Sequence, residues 1–534
     1  MADKMANDAR LKTLAVIFLL LLGAVIVRLL DLQIFRHDFF EKLSLKQRTR
    51  IIDLAASRGD VYDRNGEIMA TSIDTYSLFR QEPHFAWVAR KLPLAAAEQL
   101  KKAGSAEVFM IKEKKRIYPQ NNLAAQVLGF VGADNQGLSG IELSYDRYLK
   151  GKTGQIITEG DPQGRELYGA VREIDPGEDG MNVTLTLDQN LQYIAEQEIQ
   201  AVVRQFKATS GMLIVMDAKS GELLALASKP DFDPNAYGKA DSRLWHPRFL
   251  DPYEPGSTFK LITAAAGLQD GVIDQNTKLK ALNRLEIGGK IIQNSHQIAW
   301  PGPDISVSFM LEQSINTGAA QIGIMLGPER FYKRLKQFGF GELTDFGLDG
   351  ESRGIVRYWE NWYKPDVAMI TFGQGIAVTP LQLLSAVSAF GNKGRAVKPY
   401  LVKRIESNDG NFVKVYAETE RGRPVSEKVA AEMKKLMRDV VVSGSGRKAQ
   451  MAWYSVGGKT GTAQKALPGG RGYLKGRYIA SFIGLAPLSD PRIAALVIVD
   501  DPKGVIWGET VAGPAFKNVV EYALRYLNVK PDMI

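Results

Sequence analysis

The stretch Tyr253-Glu254-Pro255-Gly256-Ser257-Thr258-Phe259-Lys260 decides how the chain reads. Pro255 and Gly256 break whatever precedes them. Phe259, Leu261, Ile262, Ala264, Ala265 and Leu268 then continue as an apolar helical pattern that stops between Gly267 and Gly271. The loop delivers a serine to the first turn of a helix. Ser257 and Lys260 are three apart, so in a helix their side chains share one face. A serine hydroxyl is a poor nucleophile until a base takes its proton. An ammonium cannot accept one; Lys260 becomes a base only where burial and nearby positive charge lower its pKa, and an apolar helix opening into a packed cleft supplies both. Unpaired N–H groups at the helix start favour negative charge developing beside the serine. Alone, S-x-x-K carries little weight, because two fixed positions coincide about once by chance in a chain this long. What accompanies it decides the matter.

Composition bounds the possibilities. The 534 residues suffice for two or three domains, and 45% apolar with 24% charged residues is ordinary for a globular chain. The net charge of +9 is modest, and no basic run interleaved with aromatics points to nucleic acid. Cysteine is absent, which removes thiol catalysis, zinc ribbons and disulfides together and fits an extracytoplasmic bacterial protein. None of the four histidines, His37, His84, His246 and His296, has metal-ligand spacing; they read as structural, with His296 alone a candidate for a cleft. No G-x-S-x-G elbow is present, and neither metal nor cofactor is expected.

In chain order, Leu14 to Val27 is uninterrupted apolar, and with its flanks Leu11 to Ile34 is long enough to span a bilayer, Lys12 and Arg28 snorkelling to the interfaces. Arg28-Leu29-Leu30-Asp31 follows instead of a small-residue cleavage site, so the segment reads as an uncleaved signal anchor. Strand-like runs and short helices fill the next part, with Asn65-Gly66 as a hairpin turn and Gly137, Gly140 and Glu142 marking tight backbone around a short helix. Lys112 to Arg116 reads as a solvated charged face. No catalytic constellation lies here, and the region reads as a pedestal. A new domain opens near Asn182, with Val183 to Leu187 as a strand, a helix from Asp188, and a hairpin of Met212 to Asp217 with Glu222 to Ser228. Tyr454 to Thr462, Tyr478 to Leu485 and Ile493 to Val499 supply three more strands, and a last helix carries Phe516, Val519, Val520, Ala523, Leu524 and Leu527 on one stripe. Strands from both ends with helices between imply an α+β fold, an antiparallel sheet covered by helices.

Two further signatures follow the serine. Ser314-Ile315-Asn316 comes after the helical stretch Val307 to Gln313. Lys459-Thr460-Gly461-Thr462 sits on a strand preceded by Gly457 and Gly458, and three glycines in five residues mark close approach by a ligand or another backbone. S-x-x-K, then S-x-N, then K-T-G, in that order, are the set shared by serine β-lactamases and penicillin-binding proteins. The sequence resembles the class B penicillin-binding proteins, and among them the division-type (FtsI-type) peptidoglycan D,D-transpeptidases. The resemblance covers almost the whole chain, including Arg58-Gly59, Asp63-Arg64-Asn65-Gly66, Gly137-x-x-Gly140-x-Glu142, Gly373-Gln374-Gly375 and Val378-Thr379-Pro380-Leu381-Gln382. The middle motif is S-I-N where some relatives have S-D-N.

The resemblance implies a cytoplasmic tail (1–12), a transmembrane anchor (13–34), an elongated mixed α/β pedestal (35–180) that binds partners, and a transpeptidase domain (181–534) outside the cytoplasm, at the division site. It implies that Ser257 attacks the carbonyl between two terminal D-alanines of a stem peptide, that D-alanine leaves an acyl-enzyme behind, and that an amine of a neighbouring stem completes a cross-link. Lys260 would take the serine proton, Ser314 would relay it, and Asn316 would hold Lys260 and the substrate amide. Lys459, expected to stay charged, would bind the terminal carboxylate with Thr460 and Thr462; Gly461 completes the motif. The backbone N–H groups of Ser257 and Thr462 would form the oxyanion hole. Implied partners are lipid-linked peptidoglycan precursor polymer, β-lactams, a polytopic SEDS-type glycan polymerase and other division proteins. Against a β-lactamase stands the lack of an E-x-x-L-N loop between Asn316 and Lys459. A D,D-carboxypeptidase, an elongation-type transpeptidase and a scaffold for the polymerase are the remaining readings.

Overall fold

The computed structural model describes residues 2–54, 56–80, 86–103, 108–159, 173–467, 469 and 472–533. It divides into two compact units, Met1–Ala56 with Lys152–Asp179, and Ser57–Gly151 with Gly180–Ile534.

The first unit begins with a helix, Ala2–Leu30, that widens into a π turn, Asp31–Phe35. Lys4–Phe35 is long and apolar enough to cross a membrane, with mean hydropathy 2.7 and none of its apolar window buried. Thirty-two residues at 1.5 Å each exceed a bilayer core of about 30 Å. This helix is consistent with the single-pass anchor that the apolar run predicts. A second helix, His37–Arg48, leads into the strand Thr49–Leu54, which pairs with Gly154–Glu159 and through it with Glu173–Asp175.

Among the described residues the second unit carries two large sheets and three two-stranded ones. In the seven-stranded one, Val61–Tyr62 pairs with Ile68–Arg80 across the Asn65-Gly66 turn, where Gly66 has φ +91° and the buried Asp63 carboxylate accepts from the N–H groups of Asn65 and Glu67. On its other side Val61–Tyr62 meets Asn182–Leu185, which pairs in turn with Val402–Glu406. The sheet therefore runs across residue 180, close to where the sequence suggests that a new domain opens. The buried guanidinium of Arg58 bonds Glu142 at 2.5 Å and Asp146 at 2.6 Å, and Arg116 bonds the second Glu142 oxygen at 2.7 Å, so the Arg-Gly and Gly-x-x-Gly-x-Glu segments meet in one ionic core.

The five-stranded sheet runs Leu223–Lys229, Ser210–Asp217, Ile493–Asp500, Tyr473–Ala486, Gly457–Ala466, antiparallel throughout. Its side chains alternate as a pleated sheet buried on both faces requires. Leu213, Val215, Val497 and Phe482 pack with the helices Gln189–Gln205 and Gly513–Tyr526. Ile214, Met216, Ile498 and Ile483 face the opposite layer, which holds the helices Lys260–Gln269, Pro380–Gly391 and Glu427–Val442. The two-helix layer is built from both ends of the domain sequence, and the serine helix is the centre of the other. Helix starts follow their caps: the Asp188 carboxylate accepts from the N–H groups of Asn190 and Leu191, and Thr379 forms a capping box with Gln382.

Candidate active site

The serine loop is clamped before the helix begins. Tyr253 bridges Val378, and the Gly256 N–H donates to the Gly373 carbonyl at 3.2 Å. Gly256 has φ +59°, and a Cβ there would stand 2.8 Å from the Ala463 Cβ; a Cβ on Gly373, at φ +74°, would stand 2.4 Å from the Gly256 carbonyl oxygen. Only glycine fits at this crossing. Gly256–Phe259 then winds as a 3₁₀ turn before the α-helix starts at Lys260. The tighter winding eclipses positions i and i+3, and the Ser257 Oγ and Lys260 Nζ come to 2.9 Å.

Lys260 is fully buried. Its amine touches four oxygens: Ser257 Oγ at 2.9 Å, the Ser314 carbonyl at 2.7 Å, Asn316 Oδ1 at 2.7 Å and Ser314 Oγ at 3.2 Å. None is a carboxylate. Burial first, and then the charge of Lys459, hold its pKa well below that of an ordinary amine. A neutral amine has two N–H groups and one lone pair. The two shortest contacts, to a carbonyl and an amide oxygen that can only accept, use both N–H groups. The lone pair is left for the Ser257 hydroxyl.

Ser314 links the helices Val307–Glu312 and Asn316–Leu326 and has φ +53°. That left-handed conformation costs a non-glycine residue about 1–3 kcal/mol and persists where its surroundings impose it. Here it turns both the carbonyl and the hydroxyl of Ser314 toward the buried amines, Oγ lying 3.0 Å from Lys459 Nζ. Asn316 opens the second helix; its Nδ2 donates to the Gln293 carbonyl at 2.9 Å, which leaves Oδ1 facing Lys260.

Lys459 and Thr460 lie on the edge strand Gly457–Ala466, in register with Tyr473–Ala486. The buried Lys459 Nζ donates to Ser314 Oγ at 3.0 Å, the Thr460 carbonyl at 3.1 Å and Thr460 Oγ1 at 3.2 Å. Thr460 Oγ1 and Ser445 Oγ share a hydrogen bond of 2.9 Å. Burial pulls Lys459 down to about 7. Near neutrality the ammonium is thus half populated on its own, and an anion beside it would restore the permanent charge the sequence suggests. At Gly461 a Cβ would come within 2.3 Å of Ser481 Oγ, and one at Gly508 within 2.5 Å of the Gly461 carbonyl, so the loop holding Gly508 rests on this strand. The Gly508 N–H donates to Thr462 Oγ1 at 3.3 Å.

Ser257, Ser314, Thr460 and Thr462 line a cleft of about 450 Å³, and the two lysines are buried behind them. Three distant segments, carrying all the residues singled out in the sequence, converge here. His296 also lines the cleft, its pKa lowered by burial and then by Lys260 and Lys459. His246 instead pairs with Asp251 at 2.7 Å, and His84 lies outside the described residues. Sequence reasoning missed the rest of the lining, notably Ser445, Arg447, Trp507 and Glu509. The small-residue run Ser443-Gly444-Ser445-Gly446 was a visible signal of close packing: Gly444 lies against the Glu312 backbone, and the Ser445 N–H donates to the Glu312 carbonyl at 3.0 Å. Arg447, Trp507 and Glu509 carry no pattern.

The penicillin-binding protein transpeptidase domain matches residues 211–521, more than half of the chain, and the penicillin-binding protein dimerisation domain matches residues 88–185. Stage V sporulation protein D of Bacillus subtilis is 32% identical over 96% of this chain and 86% of its own length. The probable peptidoglycan D,D-transpeptidase PenA of Neisseria meningitidis is 31% identical, covering 99% of this chain and 94% of the relative. The peptidoglycan D,D-transpeptidase FtsI of Escherichia coli is 28% identical over 97% and 91%. Among solved structures, penicillin-binding protein 3 of Mycobacterium tuberculosis complexed with aztreonam superposes with a TM-score of 0.74 at 27% identity, over 90% of this chain and 98% of that one.

Proposed function

Since the chain belongs to the class B penicillin-binding proteins and is a serine-type peptidoglycan D,D-transpeptidase, we propose the following roles for its residues. Ser257 Oγ attacks the carbonyl carbon between the two terminal D-alanines while its proton passes to the lone pair of Lys260. The oxyanion that forms is met by the backbone N–H groups of Ser257 and Thr462, single donors of this kind contributing about 3–4 kcal/mol. Ser314, within 3.2 Å of one amine and 3.0 Å of the other, hands a proton to the departing nitrogen. D-alanine leaves and an ester to Ser257 remains. An amine of a second stem then attacks that ester, and the protons return along the same path. Lys459, with Thr460 and Thr462, binds the carboxylate of the terminal D-alanine, a charge-assisted contact. Asn316 keeps Lys260 in line.

The observation that carries this reading is the buried Lys260 amine, 2.9 Å from Ser257 Oγ and without a carboxylate partner. A fluorescent penicillin tests it: the adduct should map by mass spectrometry to Ser257, and an adduct elsewhere would refute the assignment. Inhibition by β-lactams follows from the same attack, and the aztreonam complex of the mycobacterial relative supports it.

The boundaries 1–12, 13–34, 35–180 and 181–534 frame a cytoplasmic tail, an anchor, a partner-binding pedestal and the catalytic domain outside the cytoplasm. The likeness to FtsI and to a sporulation protein supports septal work at the division site. A tagged protein should gather at mid-cell in dividing cells; placement along the lateral wall would favour elongation instead. Co-purification of a polytopic SEDS-type glycan polymerase, retained by Ser257→Ala, tests the partner role.

A further inference from the structure

The segment Tyr358-Trp359-Glu360-Asn361-Trp362-Tyr363 is rich in aromatics, and none of them lines the cleft. Trp362 anchors the loop. It meets the buried Phe331 and its neighbour Tyr332 edge-on, each at 6.3 Å, and its Nε1 donates to the Arg357 carbonyl at 2.9 Å. Asp366 fixes the rest, accepting from Arg357 at 2.8 Å and from the Tyr363 N–H at 2.9 Å. On this rigid base other rings face water: Tyr358 is 47% exposed and Tyr363 76%. Among the described residues neither tyrosine hydroxyl, nor Trp359 Nε1, has a hydrogen-bond partner. Preorganised rings with free polar ends suit a partner that offers both C–H faces and hydroxyls.

The loop is tied to the active site at both ends. Ile355 bridges Ala377, next to the Val378 that bridges Tyr253 before the serine. Lys364 packs on Gly288 at the tip of the hairpin Arg284–Ile287 with Lys290–Gln293, where an added Cβ would stand 2.9 Å from the Lys364 Cβ. At the other end of that hairpin the Gln293 carbonyl accepts from Asn316 Nδ2, and Ser295 and His296 line the cleft. The strand Lys290–Gln293 covers ~13 Å at about 3.3 Å per residue. In the substrate, roughly four residues of stem separate the reacting carbonyl from the sugar, ~14 Å when extended. A cleft of about 450 Å³ holds a ligand of drug size, not a sugar polymer. The glycan must lie outside it, at the distance where the aromatic loop stands. Lys290 and Lys364, both exposed and neither in an ion pair among the described residues, stand between the two.

We propose that Tyr358, Trp359 and Tyr363 form a platform for the glycan strand that carries the donor stem. Sugar rings lie on the exposed aromatic faces, and Lys290 and Lys364 meet the carboxylates of the stem on its way to the cleft. The inference rests on the proposed function of the cleft and adds the sugar to what is recognised. A bilayer is the other surface that aromatics with wet ends and nearby lysines suit; the loop's continuity with the cleft favours the glycan.

The test uses the full-length protein in detergent and two probes that carry one stem each: a disaccharide muropeptide ending in D-alanyl-D-alanine, and the same stem peptide without sugar. Each competes with a fluorescent penicillin for Ser257. The muropeptide should protect Ser257 at a roughly tenfold lower concentration. Tyr363→Ala should lose part of that advantage, and Tyr358→Ala combined with it the whole. Labelling without a competitor should keep its rate in both, which shows the fold and the cleft intact; should the double variant fail to label, Tyr363→Ala alone decides. Phenylalanine at both positions should keep most of the advantage, because the ring faces carry the contact. Lys364→Gln should weaken protection by both probes alike, since both bear the stem carboxylates. Equal protection by the two probes in the unmodified protein, or an advantage that survives both alanine variants, would overturn the proposal. Lipid contact would overturn it too: in vesicles containing brominated phosphatidylglycerol, the quenched share of tryptophan fluorescence should not fall in Trp359→Phe, and a fall would place this face on the membrane. If the unmodified protein takes no penicillin at Ser257, the proposed function itself fails, and that is read before either probe is added.

Discussion

Lys459 Nζ and Ser314 Oγ lie 3.0 Å apart across 145 residues of sequence. That contact joins the K-T-G strand to the S-x-N loop and puts one hydroxyl between two buried amines. Lys459→Ala removes both the anion clamp and the second charge that keeps Lys260 neutral. We expect acylation by penicillin to fall by about two orders of magnitude or more, the usual loss when a preorganised electrostatic group is deleted. Labelling rates at fixed antibiotic concentration, with circular dichroism as the folding control, measure it.

The same pair sets the pH profile. Acylation needs Lys260 neutral and Lys459 charged. Lys260 is held far down, while Lys459 is pulled to about 7. The value of kcat/KM reports the free enzyme. It should therefore decline as pH rises through about 7, as Lys459 loses its proton. The alkaline limb of kcat should lie higher, because a bound carboxylate stabilises the ammonium. Lys459→Arg cannot lose its proton in this range, so whatever activity it keeps should show no alkaline fall in kcat/KM.

Stability should respond in the opposite sense. Between about 7 and the ordinary amine value of 10.5 the unfolded chain holds a proton on Lys459 that the folded chain lacks. Stability then rises with pH across that window, by about 1.4 kcal/mol for each unit this one group contributes. The cost of the buried ammonium is fully present below about 7. Lys459→Met removes it, so the variant's advantage in melting temperature should be largest near pH 6 and shrink toward pH 10. An advantage that does not vary with pH would contradict the buried-amine account.

How much of this was legible beforehand differs from residue to residue. Ser257 and Lys260 could be paired from spacing alone, since any helical winding brings them together; the 3₁₀ turn only sharpens the contact. The K-T-G strand announced itself by its glycines, each so closely packed that a Cβ would collide with a neighbour: side chains at Gly457, the Ile483 carbonyl at Gly458 and the Ser481 hydroxyl at Gly461. The left-handed Ser314 left no trace, because the strain is imposed by two lysines from other segments. Arg447, Trp507 and Glu509 were invisible for a related reason: loops that line a cleft answer to no periodicity. The partnership of Asn182–Leu185 with Val402–Glu406 was hidden too, since strand pairing across two hundred residues depends on topology that short-range patterns do not encode.

Ser314 offers a way to separate strain from chemistry. Ser314→Gly removes the hydroxyl and relaxes the φ of +53°, whereas Ser314→Ala removes the hydroxyl and keeps the strain. Both should lose acylation, by a factor of about 10² or more for a lost proton relay. The glycine variant should be the more stable of the two by about 1 kcal/mol. Melting temperatures compared at one pH decide it.

Gly373→Ala should disable a serine it does not touch. The added methyl would stand 2.4 Å from the Gly256 carbonyl oxygen and 2.5 Å from its nitrogen, backbone atoms that cannot rotate away. The loop holding Ser257 must shift, and a shift of about 1 Å is enough to cost a factor near 10² in rate. Penicillin acylation should fall while the sheet, whose strands lie elsewhere, remains intact by circular dichroism.

The ionic core of Arg58, Arg116 and Glu142 gives the last expectation. Arg58, Glu142 and Arg116 are each at most 4% exposed, and Glu142 serves both guanidinium groups, at 2.5 Å and 2.7 Å. Removing one member leaves buried charge unanswered, which costs about 3–5 kcal/mol, far more than an exposed pair would. Glu142→Gln should therefore lower the melting temperature sharply, because two cations lose one shared anion, although Asp146 still answers Arg58 at 2.6 Å. Arg116→Met should cost less, since Glu142 keeps its contact with Arg58. Neither substitution touches the cleft, so at a temperature where both variants remain folded the penicillin acylation rate should match that of the unmodified chain. A large rate loss in folded Glu142→Gln would instead mean that this core transmits to the serine, and stopped-flow acylation below the melting transition distinguishes the two.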